Sequence, residues 1–205
     1  MKMKLTYDSL LKHARSSNFH KHIETWMEDG TMMRELPEFA CAEWYIHNPA
    51  HHPEGSTEDF YGTVYDHVLE SIRIADVVNL SPLEKLCVMF HDIGKGYCAK
   101  NYSAEHPYHN FIAHDFYGVR IMDCIGKRLN FESLDLDIIK FCIQHHMRFY
   151  KLREMRQTKV EYLVNHKYFN TLACVCFCDS ASRRHMFSFD DFYRDLQNAL
   201  IYRRK

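Results

Sequence analysis

Along most of the chain apolar side chains recur at spacings of three and four, the period with which a helix buries one face, and glycine and proline are few, with 7 and 5 copies. This pattern predicts an all-α protein. Phe19, Ile23, Trp26 and Met27 mark one helix, closed by Gly30, and Arg34 to Pro53 reads as an irregular connector broken by Pro37, Pro49 and Pro53. Val64, Val68, Ile72 and Ala75 form the stripe of a second helix, with His67 on or beside its buried face. Ser81, Pro82 and Glu84 make a capping box that opens a third, whose apolar run ends at His91; Gly94 and Gly96 are expected to stop it just beyond Asp92.

Further along, Tyr102, His106, Tyr108 and His109 sit in what reads as an aromatic, polar loop. Ile112, Phe116 and Val119 then predict a buried helix face, and His114 and Gly118 lie one turn apart, so that the glycine would admit a close neighbour. Ile138, Phe141, Cys142 and Phe149 share a face of the next helix, with His145 and His146 on either side of its centre, and periodicity does not choose between the two histidines. The stretch Leu172 to Cys178 carries no charge and leads into Asp179, whose carboxylate would enter an apolar interior. Ser188 caps a last helix with Phe189, Phe192, Leu196 and Leu200 turned inward, ahead of a solvated tail, Tyr202-Arg203-Arg204-Lys205.

With 205 residues and 46% hydrophobic content the chain supports one well-buried core. The 26 Lys plus Arg against 27 Asp plus Glu leave no net field to draw it to nucleic acid or an anionic membrane, so any nucleic-acid contact would be local. The 8 cysteines include no C-x-x-C pair and mostly sit in apolar runs, as free thiols do in a reducing compartment. Cys174, Cys176 and Cys178, two apart on a helix, point away from one another and read as packing. Met1 to Ser17 is interrupted by charges and resembles neither a signal peptide nor a membrane span, and a cytoplasmic location is expected.

The candidate chemistry lies in His67, His91-Asp92, His114, His145-His146 and Asp179. Imidazole nitrogens and carboxylate oxygens drawn from about five helices can converge on a divalent metal pair, and such pairs activate water against phosphate esters. A buried carboxylate such as that expected of Asp179 costs several kcal/mol unless paired or metal-bound. Lys95, at a helix end, can reach a cleft, and Arg148, two residues past His146, is either a phosphate contact or a solvated side chain.

These residues, with Arg34-Glu35-Leu36-Pro37-Glu38, His52-Pro53-Glu54-Gly55, Phe90-His91-Asp92-Ile93-Gly94-Lys95-Gly96 and Cys178-Asp179-Ser180-Ala181, resemble the HD superfamily of metal-dependent phosphohydrolases, and more specifically the HD half of bacterial tRNA nucleotidyltransferases. Two departures stand out: Ser56 to Gly62 lengthens the approach to His67, and the glycine-serine loop and paired-aspartate strand of the polymerase half are missing, so nucleotide addition is not expected. The resemblance implies an HD helical bundle with the site between its central helices, residues 51–205 forming the HD unit and residues 1–50 a helical segment packed on it. It implies that His67, His91, Asp92 and Asp179 ligate a first ion, and that His114 and His145 are candidates for a second, Asp92 bridging the two in binuclear members. With one ion only, His114 and His145 would instead touch phosphate or protonate the leaving oxygen.

Lys95 would lie over the substrate phosphate, with Arg148 and His146 as further substrate contacts, while His52 and Glu54 would line the mouth. Manganese, iron, cobalt, nickel, zinc and magnesium are not distinguished. The implied substrates are nucleotide or RNA 3′-end phosphates, such as 2′,3′-cyclic phosphodiesters and 2′-nucleotides. Hydrolysis of cyclic or pyrophosphorylated signalling nucleotides, or nucleotide binding without chemistry, are the alternatives.

Overall fold

The computed structural model describes residues 4–53, 56–57, 61–103, 105–183 and 188–203, so that Glu54 and Gly55 of the mouth motif and Arg204 and Lys205 of the tail lie outside the described residues. Four helices form the centre: α5 (Val64–Val77), α6 (Pro82–Phe90), α9 (Ser133–Phe149) and α11 (Phe169–Ser182). Helix α8 (His114–Leu129) packs on α9, α1 (Tyr7–Ala14) on α6, and α2 (Phe19–Glu28) on α5. The short helices α3 (Thr31–Glu35), α4 (Pro37–Ala40) and α7 (Lys95–Cys98), with α10 (Gln157–Val164) and α12 (Phe189–Leu200), complete the chain. The architecture is all-α, with one small antiparallel hairpin, β1 (Lys100–Ser103) and β2 (His106–Asn110), among the described residues. No helix among them is long and apolar enough to cross a membrane.

Local chemistry starts the central helices where the sequence places them. Thr63 and Asp66 cap α5 reciprocally, Ser81 and Glu84 do the same for α6 with Pro82 in its first turn, and the Ser188 hydroxyl accepts from the Asp191 amide at α12. The stripe Val64, Val68, Ile72 and Ala75 is buried as expected, along with His67. Cys87, Cys142, Cys176 and Cys178 are buried free thiols.

Four sequence expectations give way. The hairpin occupies the expected loop; its four- and five-residue strands lack an alternating apolar face. The connector is partly helical, as α3, α4 and the 3-10 turn Cys41–Trp44. Of the expected inward face of α8 only Val119 packs against the core: Ile112 precedes the helix and is exposed, as is Phe116, on which the Arg120 guanidinium sits 4.3 Å from the ring centre. The buried stripe is instead His114, Gly118, Met122, Ile125, Gly126 and Leu129. In α12, Phe189 is exposed, while Phe192 stacks on Phe149 at 5.1 Å.

A buried charge cluster ties the first residues of the chain to the centre. Asp76 of α5 meets Lys85 Nζ of α6 at 2.6 Å and the ring Nδ1 of His20 at 2.7 Å, and the same ammonium donates to the Ser16 carbonyl at 2.6 Å. Asp76 and Lys85 are both buried, so removing one partner leaves the other charged and desolvated. Lys85→Met is expected to cost about 3–5 kcal/mol of unfolding free energy, measured by denaturant melts.

Candidate metal centre

Each ligand-bearing element delivers its side chain for a local reason. His67 lies on the buried stripe of α5, and His91 is the C-terminal cap residue of α6, from which the chain turns so that Asp92 also faces inward. The α6 helix ends at Phe90, ahead of the glycines expected to stop it, and Gly94, with φ −77°, opens α7. Its role is close approach. A Cβ at Gly94 would lie 2.0 Å from the His114 carbonyl oxygen and 2.5 Å from the Gly118 nitrogen, and one at Gly118 would lie 2.7 Å from Ile143 Cγ2. These two glycines let the start of α8 touch both the turn after α6 and helix α9, which brings His114 to the same place as Asp92 and His146.

Two groups of buried donors result: His67, His91 and Asp179, and Asp92, His114 and His146, the donor atoms of each lying within 4.8 Å of one another. Asp92 spans them. Its Oδ2 lies 3.2 Å from His91 Nε2 and 3.6 Å from His67 Nε2, while its Oδ1 lies 3.4 Å from His114 Nε2 and 3.6 Å from His146 Nε2. Asp179 Oδ1 stands 3.1 Å from His67 Nε2.

The outer hydrogen bonds decide which nitrogen each ring presents. His91, His114 and His146 each direct Nδ1 at the backbone carbonyl three residues earlier, of Val88, Phe111 and Ile143, at 2.7, 2.8 and 2.7 Å. A carbonyl only accepts, so these Nδ1 atoms carry a proton, and a ring in that tautomer offers its Nε2 lone pair to the cluster. His67 Nδ1 meets the Ser182 hydroxyl at 3.1 Å; that hydroxyl gives its one hydrogen to the Asp179 carbonyl and so accepts from the ring.

The outcome is a centre rich in lone pairs and poor in donors. His114 Nε2 and His146 Nε2 face each other at 3.0 Å, a contact of two acceptors that is repulsive unless a cation lies beside it. Mixed imidazole and carboxylate donors fixed by outer hydrogen bonds fit a divalent first-row metal. Burial pushes the Asp92 carboxyl up, but the Lys95 ammonium and the adjacent His91 outweigh it and hold Asp92 well below the usual carboxylate range. Burial likewise raises Asp179, and the adjoining rings of His67 and His91 with the Arg183 guanidinium bring it well below. Burial lowers the His114 imidazole to about 4, which keeps it neutral and able to ligate.

Tyr150 acts behind Asp179. Its hydroxyl donates to Asp179 Oδ2 at 2.6 Å and accepts from Ser180 Oγ at 3.1 Å. Burial, then the Asp179 charge, raises this phenol well above its ordinary range, so it stays a donor. Tyr150→Phe frees one carboxylate oxygen and is expected to weaken metal affinity about 10- to 100-fold with the fold intact, as read by metal titration.

His67, His91, Asp92, His114 and Asp179 are thus brought together, and Lys95 joins them with Nζ 2.6 Å from Asp92 Oδ2. The pairing of the α9 histidines is the reverse of the expectation: His146 faces the cluster, whereas His145, expected to ligate, turns aside and packs its ring 4.5 Å from Phe141. The reason is α8, which meets α9 on the His146 flank. Arg148 is exposed, about 200° around the helix from His146, and does not join the cluster. His52 is half-buried, with its ring 4.6 Å from that of His67.

Besides Tyr150 and Ser182, a further neighbouring residue is absent from the sequence expectation. His47 is buried, its Nε2 is 3.0 Å from Lys95 Nζ, and its ring stacks on His52 at 4.0 Å. Burial and the facing Lys95 hold its imidazole well below the usual range. The sequence signal was a histidine five residues ahead of His52 in a proline-broken stretch, which carries no periodicity.

A family model described as HD domain matches residues 64–177. The chain is also 28% identical over 134 residues, 65% of its length, to the Multifunctional CCA protein of Halorhodospira halophila, and the match spans 29% of that relative.

Proposed function

Because the chain belongs to the HD domain family of metal-dependent phosphohydrolases, we propose that its two donor groups, with Asp92 between them, would hold a pair of divalent ions and that it hydrolyses nucleotide or RNA-end phosphates. The carrying observation is the Asp92 carboxylate, whose two oxygens face different sets of histidines. Bound metal supplies a water nucleophile of lowered pKa and a Lewis acid for the phosphoryl oxygens. The protein's own groups do the rest. His67, His91 and Asp179 serve one side of the carboxylate and His114 and His146 the other, with rings locked in one tautomer by the outer bonds.

Lys95 brings the positive charge that balances phosphoryl oxygens as charge develops, and its burial keeps that interaction little screened by water. His52, half-buried beside His67, lines the way in. Lys95→Ala is expected to lower kcat about 10²–10³-fold with metal content unchanged; loss of the metal would make it a structural residue.

The substrate class rests on resemblance to the HD half of tRNA nucleotidyltransferases and on the match to a multifunctional CCA protein. Metal-loaded protein is to be assayed on 2′,3′-cyclic AMP, 2′-AMP, 3′,5′-cyclic AMP and a pyrophosphorylated guanosine nucleotide. Preferential turnover of the first two is expected. Turnover confined to the others would move the reading to signalling nucleotides, and none at all would leave a binding module.

A further inference from the structure

His47 reaches the centre from outside the matched family region, and its backbone is clamped there. The His47 amide donates to the Gly62 carbonyl at 2.9 Å, Val64 donates to Tyr45 at 2.9 Å, and His109 of β2 donates to Ile46 at 2.9 Å. Residues 45–47 thus lie between the approach to α5 and the hairpin, and the ring wedges against His52, His67 and Phe111, with centroids 4.0, 5.5 and 5.3 Å away.

The hydrogen bonds of that ring leave a donor over. Lys95, paired with the Asp92 carboxylate at 2.6 Å, is an ammonium and only donates, so His47 Nε2 is the acceptor of their 3.0 Å contact. A neutral imidazole whose Nε2 accepts carries its hydrogen on Nδ1. Among the described residues that Nδ1 is buried and without a hydrogen-bond partner. A buried N–H left unmatched costs free energy that a folded protein does not spend without return, and here it sits on the same ring that touches the site's cation.

We propose that His47 is a substrate-binding residue of this site, its Nδ1–H donating to a phosphoryl oxygen on the edge of the ring that faces away from Lys95. The proposal rests on the phosphohydrolase reading for its ligand class. In it the lysine, bonded to Nε2, fixes the tautomer that the Nδ1 donor requires. It also gives the residues before α5 a part in the chemistry.

Two substitutions separate this role from mere support of Lys95. Asparagine places an amide N–H where Nδ1 stands and does not reach Lys95; glutamine reaches Lys95 with an acceptor and lacks the Nδ1 donor. The probe is inorganic phosphate, titrated calorimetrically into the metal-loaded full chain, with metal content and circular dichroism recorded for each variant. His47→Gln is expected to weaken phosphate binding about tenfold or more, and His47→Asn by no more than about threefold, with metal content unchanged. The reverse order would overturn the proposal and make His47 a positioning residue for Lys95. Equal phosphate binding in all three proteins, or loss of metal in His47→Gln, would overturn it as well. Phosphate binding with the expected order in a wild-type protein that hydrolyses no nucleotide would instead sink the phosphohydrolase reading and leave His47 as an anion ligand.

Discussion

Asp92→Asn is expected to abolish turnover and metal retention together while the helical circular dichroism signal persists. Among the described residues the carboxylate is the one group that faces all four inward histidines, and both of its oxygens present lone pairs to the centre. An amide keeps one oxygen, replaces the other with an N–H2, and removes the charge that offsets Lys95 at 2.6 Å. Losing metal activation costs several kcal/mol of transition-state stabilisation, so kcat/KM should fall by about 10³-fold or more. The linked effect on stability is equally diagnostic. At free metal about 100-fold above its Kd the wild-type protein gains about 2.7 kcal/mol, a gain a chelator removes, and the variant should show no difference between the two conditions. A variant that kept its metal and its rate would show that the centre is organised around other residues.

Gly94→Ala is expected to have the largest effect of any change outside the ligands. The added carbon meets backbone, the His114 carbonyl at 2.0 Å and the Gly118 nitrogen at 2.5 Å, and backbone in a helix start cannot swing aside as a side chain can. Relief requires the start of α8 to move off the turn between α6 and α7, carrying His114 away from Asp92. The expected cost is about 3 kcal/mol or more in denaturant unfolding, accompanied by weakened metal binding. Gly118→Ala, whose nearest contact is the Ile143 methyl at 2.7 Å, should cost less because that side chain can give way. Equal stability of Gly94→Ala and wild type would contradict the close approach.

Much of this architecture was legible beforehand because it rests on local rules. The α5 stripe and the α6 capping box are read from spacing and cap chemistry, and the same stripe that buries Val64 and Val68 buries His67 between them. An uncharged run ending in Asp179 marks an interior carboxylate for the same reason. What was not legible depends on contacts far apart in sequence. His145 and His146 flank one helix face almost symmetrically, and only the position of α8, set by the two glycines, selects His146. Phe116 and Ile112 look like core by composition, but α8 begins after Ile112 and turns the face of His114, Gly118, Met122 and Ile125 inward. His47 sits in a stretch with no periodic signal, and it is the bridge between Ile46 and Thr63 that brings it to the centre.

The sharpest single measurement is metal stoichiometry: chelator-treated protein dialysed against manganese, with bound ion counted per chain by elemental analysis. Asp92 spanning two sets of donors predicts two ions per wild-type chain at saturation. One ion, or none, would contradict the bridged centre.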